Sequence, residues 1–252
     1  MNNLILSLEK VFFYRYEKNN FFHSNKINIL KDISFELKKG ETLGIIGESG
    51  SGKSTILGLI QGLLPLEEGK IIINSIDIKL LSNLKLSLIS QIIFQNVGSC
   101  FNPRLLIEEI LAEPLYIHKI GNKKSKLLKV LELVELPRKV LSRKTKELSG
   151  GQLQRINIAR SLLLNPKILL CDEIVSSLDI SIQAQVLNTV NMVKEELGMS
   201  IIFVSHDINV TKYMSDRILV LKDGEIYDSF NTDKFDNSKL KTYTKELINQ
   251  PF

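Results

Sequence analysis

Apolar residues occur in blocks that predict strands near the start of the chain. Two β-rich runs, Ile5 to Tyr16 and Ile27 to Leu37, are separated by a polar stretch. This arrangement predicts a small antiparallel sheet whose two strands are joined by a loop. The predicted loop contains Asn19, Asn20, Ser24 and Asn25.

A buried strand then leads into a glycine-rich segment. Lys38-Lys39-Gly40-Glu41 is typical of a tight turn, and Thr42 to Ile46 is a short apolar strand. The glycine-rich segment follows at once, and a helix is predicted to begin near Lys53.

The pattern changes to helical spacing from about Leu105 to Leu141, which predicts a separate helical subdomain. Two apolar runs follow, Ile168 to Cys171 and Ser200 to Val204, and a helix is predicted between them from about Ile182 to Leu197. Strands that alternate with helices in this way predict a parallel sheet with crossover helices.

Composition indicates an ordinary globular chain. Its 252 residues are 44% hydrophobic and 24% charged, enough for one sizeable α/β domain and too short for two such domains. No apolar run reaches the roughly 20 residues that span a bilayer, and the N-terminus lacks a secretory pattern, so we expect a cytoplasmic protein.

Cysteine content and charge indicate no further kind of site. The two cysteines form no metal or disulfide framework. The net charge of +5 is dispersed, so no nucleic-acid partner is expected.

The glycine-rich segment carries the clearest chemistry, since it matches the phosphate-binding pattern G-x-x-x-x-G-K-[ST] between a strand and a helix. Glycines let successive backbone N–H groups point at phosphates, Lys53 neutralises their charge, and Ser54 offers its hydroxyl to Mg²⁺. The predicted nucleotide-binding residues are Gly47, Glu48, Ser49, Gly50, Ser51, Gly52, Lys53, Ser54 and Thr55.

The strand Ile168 to Cys171 ends in two carboxylates, Asp172 and Glu173. A pair of this kind, taken alone, also fits the start of a helix. Beside a phosphate-binding loop it predicts a second function: Asp172 binds the metal, and Glu173 orients or deprotonates the attacking water.

Leu148-Ser149-Gly150-Gly151-Gln152 precedes an amphipathic run, which predicts that Ser149 lies at a helix N-terminus, a second anion-binding position. With this segment the chain resembles the ABC ATPase family, whose LSGGQ signature lies between the same two motifs. We assign Ser149, Gly150, Gly151 and Gln152 to nucleotide binding on that resemblance.

The resemblance implies further roles. Gln95 resembles the glutamine that senses metal and water, Asp179 belongs to the segment that communicates across a dimer, and His206 resembles the histidine that contacts the γ-phosphate. An aromatic residue near the N-terminus is expected to stack on adenine. Tyr14 and Tyr16 are both candidates, and we select Tyr14.

The family's fold is an α/β P-loop NTPase (RecA-like) core with an N-terminal antiparallel β subdomain and an inserted α-helical subdomain. For this chain it implies a single ABC ATPase domain over 1–252. The core would comprise 1–95 and 165–235, the helical subdomain about 100–160, and the C-terminal tail 236–252.

The narrower resemblance is to ATPases of peptide and nickel importers. It rests on Gly47 to Gly50, on Phe101-Asn102-Pro103-Arg104, on Asp179 to Asn188 and on Tyr243-Thr244-Lys245-Glu246-Leu247. Ile174-Val175 departs from the family's Pro-Thr, but no departure removes a catalytic group.

The resemblance implies ATP and Mg²⁺ as cofactors, two integral-membrane permease subunits and an extracytoplasmic solute-binding protein. It also implies a second ATPase subunit, either a paralogue or another copy of this chain, in a head-to-tail dimer. It implies a peripheral location at the cytoplasmic face of the membrane. Three alternatives remain: an exporter, another class of importer, and a regulatory subunit with weak turnover. A chromosome-structure ATPase is disfavoured because no long heptad run is present.

Overall fold

The computed structural model describes residues 3–20, 23–95, 97–176 and 178–249, which form two sheets and nine α-helices within those ranges. The strands are β1 (Leu4–Asn20), β2 (His23–Lys38), β3 (Thr42–Ile46), β4 (Glu68–Ile73), β5 (Ile76–Asp77), β6 (Ser90–Ile93), β7 (Ile168–Asp172), β8 (Ser200–Val204), β9 (Arg217–Lys222) and β10 (Glu225–Asn231).

The helices are α1 (Lys53–Ile60), α2 (Asn83–Ile89), α3 (Val97–Cys100), α4 (Ile107–Ile117), α5 (Lys123–Leu133), α6 (Gly150–Leu162), α7 (Ile180–Leu197), α8 (Ile208–Met214) and α9 (Thr242–Asn249). Short 3₁₀ turns cover Ile78–Leu80, Arg138–Ser142, Thr145–Glu147 and Asn237–Lys239. No helix within the described residues is both long and apolar enough to cross a membrane.

The first sheet is antiparallel, with strand order β2-β1-β4-β5, as the two β-rich runs predict. The predicted loop was too long, because β1 continues to Asn20 and β2 begins at His23. Asn19, Asn20, Ser24 and Asn25 therefore lie in strands. Backbone pairing between the two strands needs no apolar side chains, so the ribbon extends beyond the apolar pattern.

The second sheet has the order β10-β9-β3-β8-β7-β6. Its strands from β9 to β6 are parallel, and β10 joins at one edge as the antiparallel partner of β9. All five residues of β3 and all five of β8 are buried, as expected for central strands covered on both faces. The carboxyl ends of β3, β7 and β8 therefore meet at one edge of the sheet.

A helical insertion separates two neighbouring strands. Between β6 and β7, which pair directly, the chain forms α3, α4, α5 and α6. The helical pattern predicted over residues 105–141 is divided into several helices in the structure. Asn122, with a positive φ of 52°, separates α4 from α5, and α5 ends at Leu133, before Pro137. An extensive apolar cluster joins this insertion to α7 and β8.

The C-terminal segment packs on the sheet. Helix α9 buries Tyr243 and Leu247 against Ile46, the last residue of β3. The segment predicted as a tail thus contributes a small apolar cluster directly behind the glycine-rich loop.

Candidate active site

The glycine-rich loop connects β3 to α1 in the order that the sequence predicts. Gly47 and Gly52 have φ angles of 155° and 107°, values that favour glycine. A Cβ at Gly47 would clash with the Leu221 carbonyl oxygen, and one at Gly52 would lie 2.5 Å from Leu30 Cδ2. Both glycines are therefore required by the path of the backbone.

Lys53 is the first residue of α1 and is only 7% exposed. Its Nζ donates hydrogen bonds to the carbonyl oxygens of Gly47, at 2.7 Å, and of Glu48, at 2.8 Å. Burial lowers the pKa of Lys53, while the carboxylates of Glu173, Asp172 and Glu48 act in the opposite direction. The loop thus holds a buried ammonium group that is not neutralised by an ion pair in the described part of the chain.

Ser54 and Asp172 meet at the end of β7. The Ser54 hydroxyl donates to Asp172 Oδ1 at 3.1 Å, although 118 residues separate the two in sequence. Burial raises the pKa of Asp172, and the hydrogen bond from Ser54 opposes that rise. A hydroxyl and a carboxylate at this separation fit Mg²⁺, which binds few protein oxygens and completes its shell with water and substrate phosphates.

Glu173 lies one residue beyond the strand with a φ of 49°, an uncommon value for a residue with a Cβ. Its backbone N–H donates to the Val204 carbonyl at 3.0 Å, which ties it to the end of β8. Such backbone conformations concentrate at functional sites. Glu173 is not a helix cap, because the next helix, α7, begins at Ile180 and is capped by Asp179.

Two of the predicted site residues contact the Glu173 carboxylate. Gln95 Nε2 donates to Glu173 Oε2 at 2.9 Å, and His206 Nδ1 lies 3.5 Å from the same oxygen. Gln95 also donates to the Ser176 hydroxyl at 3.1 Å. Among the described residues Gln95 donates to Glu173 and Ser176 and not to Ser54 or Asp172, so it lies at the carboxylate predicted to act on water rather than at the predicted metal-binding pair.

An open cavity of about 830 Å³ lies over the loop. Lys53, Ser54, Thr55, Gln95 and Glu173 contribute to its wall, as do Ser49, Gly50 and Gly52. Beside them Ser51 Oγ is buried and has no hydrogen-bond partner among the described residues. A cavity of this size, with a buried cation and uncommitted polar groups, suits a large polyanion such as a nucleoside triphosphate.

Aromatic side chains line the other side of the cavity. Phe13, Tyr14 and Tyr16 all contribute to it, so the structure presents one more aromatic candidate than the sequence suggested. Tyr14 donates to Glu68 Oε2 at 3.2 Å, and Lys26 Nζ lies 3.3 Å from the centroid of its ring. Tyr16 is 57% exposed. The selection of Tyr14 for adenine stacking stays a prediction.

The signature segment starts α6, as predicted. The Ser149 hydroxyl accepts from the Gln152 backbone N–H at 3.3 Å, and Gln152 Oε1 accepts from the Ser149 N–H at 3.1 Å. This reciprocal pair is a capping box. A Cβ at Gly151 would lie 2.5 Å from Ile182 Cγ2, so packing against α7 requires that glycine. Gly150 has only ordinary contact distances around it.

The structure does not bring the signature to the phosphate loop of its own chain. Ser149, Gly151 and Gln152 do not line the 830 Å³ cavity. Gly150 lines a separate cavity of about 570 Å³, which also includes Gln95 and Leu178.

Asp179 caps α7, accepting from the Ile182 N–H at 3.1 Å and the Ser181 hydroxyl at 2.8 Å. Both hydrogen bonds lower the pKa of Asp179, and the bond from the Ser181 hydroxyl has the larger effect. Ser177 lies outside the described residues.

Ser176 is a site residue that the sequence analysis missed. Besides accepting from Gln95, its hydroxyl donates to the Glu173 carbonyl at 3.0 Å. A serine hydroxyl can close a turn by bonding to nearby backbone, so the spacing of Ser176 from Glu173 was the available signal.

A strand-loop-helix phosphate cradle beside a paired hydroxyl and carboxylate defines a P-loop nucleoside triphosphatase. The model of the ABC transporter family matches residues 30–176, more than half of the chain. The chain therefore belongs to the ABC transporter family, as one of its ATP-binding components.

Similar proteins and a similar solved structure support this family membership. The oligopeptide transport ATP-binding protein OppF of Haemophilus influenzae is 40% identical over 231 residues, covering 88% of this chain and 69% of that protein. OppF of Lactococcus lactis subsp. lactis is 38% identical over 253 residues, covering 97% and 79%. A dimeric post-hydrolysis structure of the ATP-binding cassette MJ0796, bound to ADP and Pi, has a TM-score of 0.78 and 31% identity, covering 91% of this chain and all of that one.

Proposed function

We propose that this chain binds and hydrolyses ATP to power the import of oligopeptides through partner permease subunits. The observation that supports it most is the cluster formed by Glu173, Gln95 and His206 beside the Ser54–Asp172 pair. The names of the OppF relatives support peptides as the transported class.

Each residue has a distinct task in this proposal. The loop amides and Lys53 bind the phosphates, and Ser54 with Asp172 would hold Mg²⁺, which supplies charge neutralisation at the phosphates. Gln95 and His206 hold Glu173 Oε2 between them, so that the carboxylate is positioned to accept a proton from water. A carboxylate oriented by two neighbours favours turnover over a merely regulatory role.

The signature is proposed to act on a second ATPase subunit. Ser149 and Gly150 lie outside the cavity of their own chain, which supports a head-to-tail dimer with two composite sites. The dimeric MJ0796 structure has the same fold and supports this assembly. Two permease subunits and an extracytoplasmic binding protein complete the proposed system, with this chain at the cytoplasmic face of the membrane.

Reconstitution tests the proposal. The chain, its partner ATPase and the two permeases are placed in vesicles together with the cognate binding protein. ATP hydrolysis and uptake of a labelled oligopeptide are then measured. We expect both to depend on peptide-loaded binding protein and to disappear with Glu173→Gln. Stimulation by a nickel complex but not by peptides would redirect the substrate assignment, and ATP-independent uptake would contradict the proposal.

A further inference from the structure

One peptide unit of the phosphate loop is held from both of its ends. The Gly47 carbonyl accepts from Lys53 Nζ at 2.7 Å, and the Glu48 N–H donates to the Tyr243 hydroxyl at 3.4 Å. These two groups belong to the same peptide bond. Because a peptide bond is planar, a contact that fixes the N–H also fixes the direction of the carbonyl.

Tyr243 comes from α9, 195 residues away from Glu48. Its side chain is 6% exposed and packs in a small cluster with Ile46, the residue immediately before the loop. The Tyr227 ring meets it edge-on at 5.4 Å, and Lys222 Nζ lies 4.5 Å from its centroid. The ring is thus confined by its neighbours, and its hydroxyl is directed at the loop.

A separate contact fixes the position of α9 on the sheet. Asp228, in β10, accepts from the Thr244 hydroxyl at 2.8 Å and from the Lys241 backbone N–H at 3.0 Å. Thr244 is fully buried. The carboxylate of Asp228 therefore sets the register of the helix relative to β10 and, with it, the location of the Tyr243 hydroxyl.

Contacts with Leu221 and Lys53 also restrict the backbone conformation of the phosphate loop. Gly47 approaches the Leu221 carbonyl so closely that no Cβ could be accommodated. Lys53 depends on two adjacent carbonyls, Gly47 and Glu48, for its buried position. Rotation of the Gly47–Glu48 peptide would remove one of those acceptors, because the carbonyl would turn away as the N–H turned in.

We propose that Tyr243 is a positioning residue of the nucleotide site, which fixes the Gly47–Glu48 peptide and thereby the shape of the loop around Lys53. The C-terminal helix is then part of the ATP-binding apparatus, although none of its described side chains lines the cavity. The inference rests on the proposed function only in taking ATP as the ligand of the loop.

The test is Tyr243→Phe in the full chain, which removes the hydroxyl and keeps the ring. The loss of one neutral hydrogen bond is expected to raise the Kd for a fluorescent ATP analogue roughly 2- to 10-fold. In the assembled transporter KM should rise by a similar factor, while kcat changes less than about twofold because no reacting group is touched. Tyr227→Phe makes the same chemical change in the same cluster without a bond to the loop, and should leave Kd unchanged.

Exchange of the Glu48 amide with solvent gives a readout that needs no nucleotide. In a chain labelled with ¹⁵N-glutamate, we expect this amide to exchange roughly 2- to 10-fold faster in Tyr243→Phe than in wild type or Tyr227→Phe. Equal exchange in all three chains would overturn the inference, as would an unchanged Kd or a fall in kcat at constant Kd and KM. If the wild-type chain bound no ATP, the proposed function would fail while the exchange experiment still decided the role of Tyr243.

Discussion

The phosphate loop and the signature segment are both glycine-rich helix starts, but they differ in how completely their own chain surrounds them. Lys53 is 7% exposed and bonded to two loop carbonyls, and Ser54 already meets Asp172. Ser149 is exposed, and within the described part of the chain its hydroxyl is bonded only in the first turn of its own helix. One region is an assembled half-site, whereas the other is a helix end presented at the surface.

The glycines sharpen this difference. Gly47, Gly52 and Gly151 are required by the close approach of other parts of the same chain. Gly150 is different, since a Cβ there would meet Leu178 Cδ2 at an ordinary 3.5 Å. Folding of this chain alone therefore does not account for glycine at position 150. A ligand or a second subunit that approaches the helix end would account for it.

The largest effect is expected at the assembled half-site. Glu173→Gln should lower kcat by at least about 10²-fold, because the amide keeps the hydrogen bond with Gln95 but cannot accept a proton. ATP binding should persist. Turnover of the reconstituted transporter is the measurement, and Glu67→Gln, which changes another carboxylate lining the same cavity, should retain kcat. Wild-type turnover in Glu173→Gln would show that the base lies elsewhere.

The next effect concerns affinity. Lys53→Ala should weaken ATP binding by roughly 10- to 100-fold, since charge-assisted hydrogen bonds contribute about 1.5–3 kcal/mol each. Titration of the full chain with a fluorescent nucleotide measures this loss. Lys39→Ala removes an exposed lysine from the turn before β3 and serves as the control. Unchanged affinity in Lys53→Ala would contradict the assignment of the loop.

The smallest effect is expected at the signature of the isolated chain. Ser149→Ala removes a helix cap worth about 1 kcal/mol, which corresponds to a Tm lower by about 2–4 °C. Nucleotide affinity of the isolated chain should not change, because Ser149 does not line its cavity. Thermal unfolding and nucleotide titration are measured on the same samples. A large loss of affinity in the monomer would mean that the signature folds back onto its own loop.

Local sequence patterns predicted most of the assembled half-site. The strand Thr42 to Ile46, the start of α1 at Lys53 and the strands that end at Asp172 and Val204 follow from short apolar runs bounded by glycine or charge. The contact of Gln95 with Glu173 could not be derived locally, because 78 residues and four helices separate them. The roles of Gln95 and His206 came from resemblance to a family.

Two features escaped prediction because they depend on long-range packing. The β1–β2 ribbon is longer than its apolar pattern, since its outer part is defined by backbone pairing. Helix α9 was predicted only as a tail, because a segment of eight residues is too short to establish a helical period on its own. Its position behind the loop depends on contacts with Asp228 and Ile46 from distant parts of the sequence.

The central claim is that a loop from one chain and a signature from another form each site. A linked dimer that carries Ser149→Arg in one half and Lys53→Ala in the other retains one intact composite site, so we predict about half of the ATPase activity of the linked wild-type dimer. The control dimer carries both substitutions in one half and should be inactive, because each composite site then contains one defect. An inactive first dimer together with an active control would contradict the account, since that result requires each chain to complete its own site.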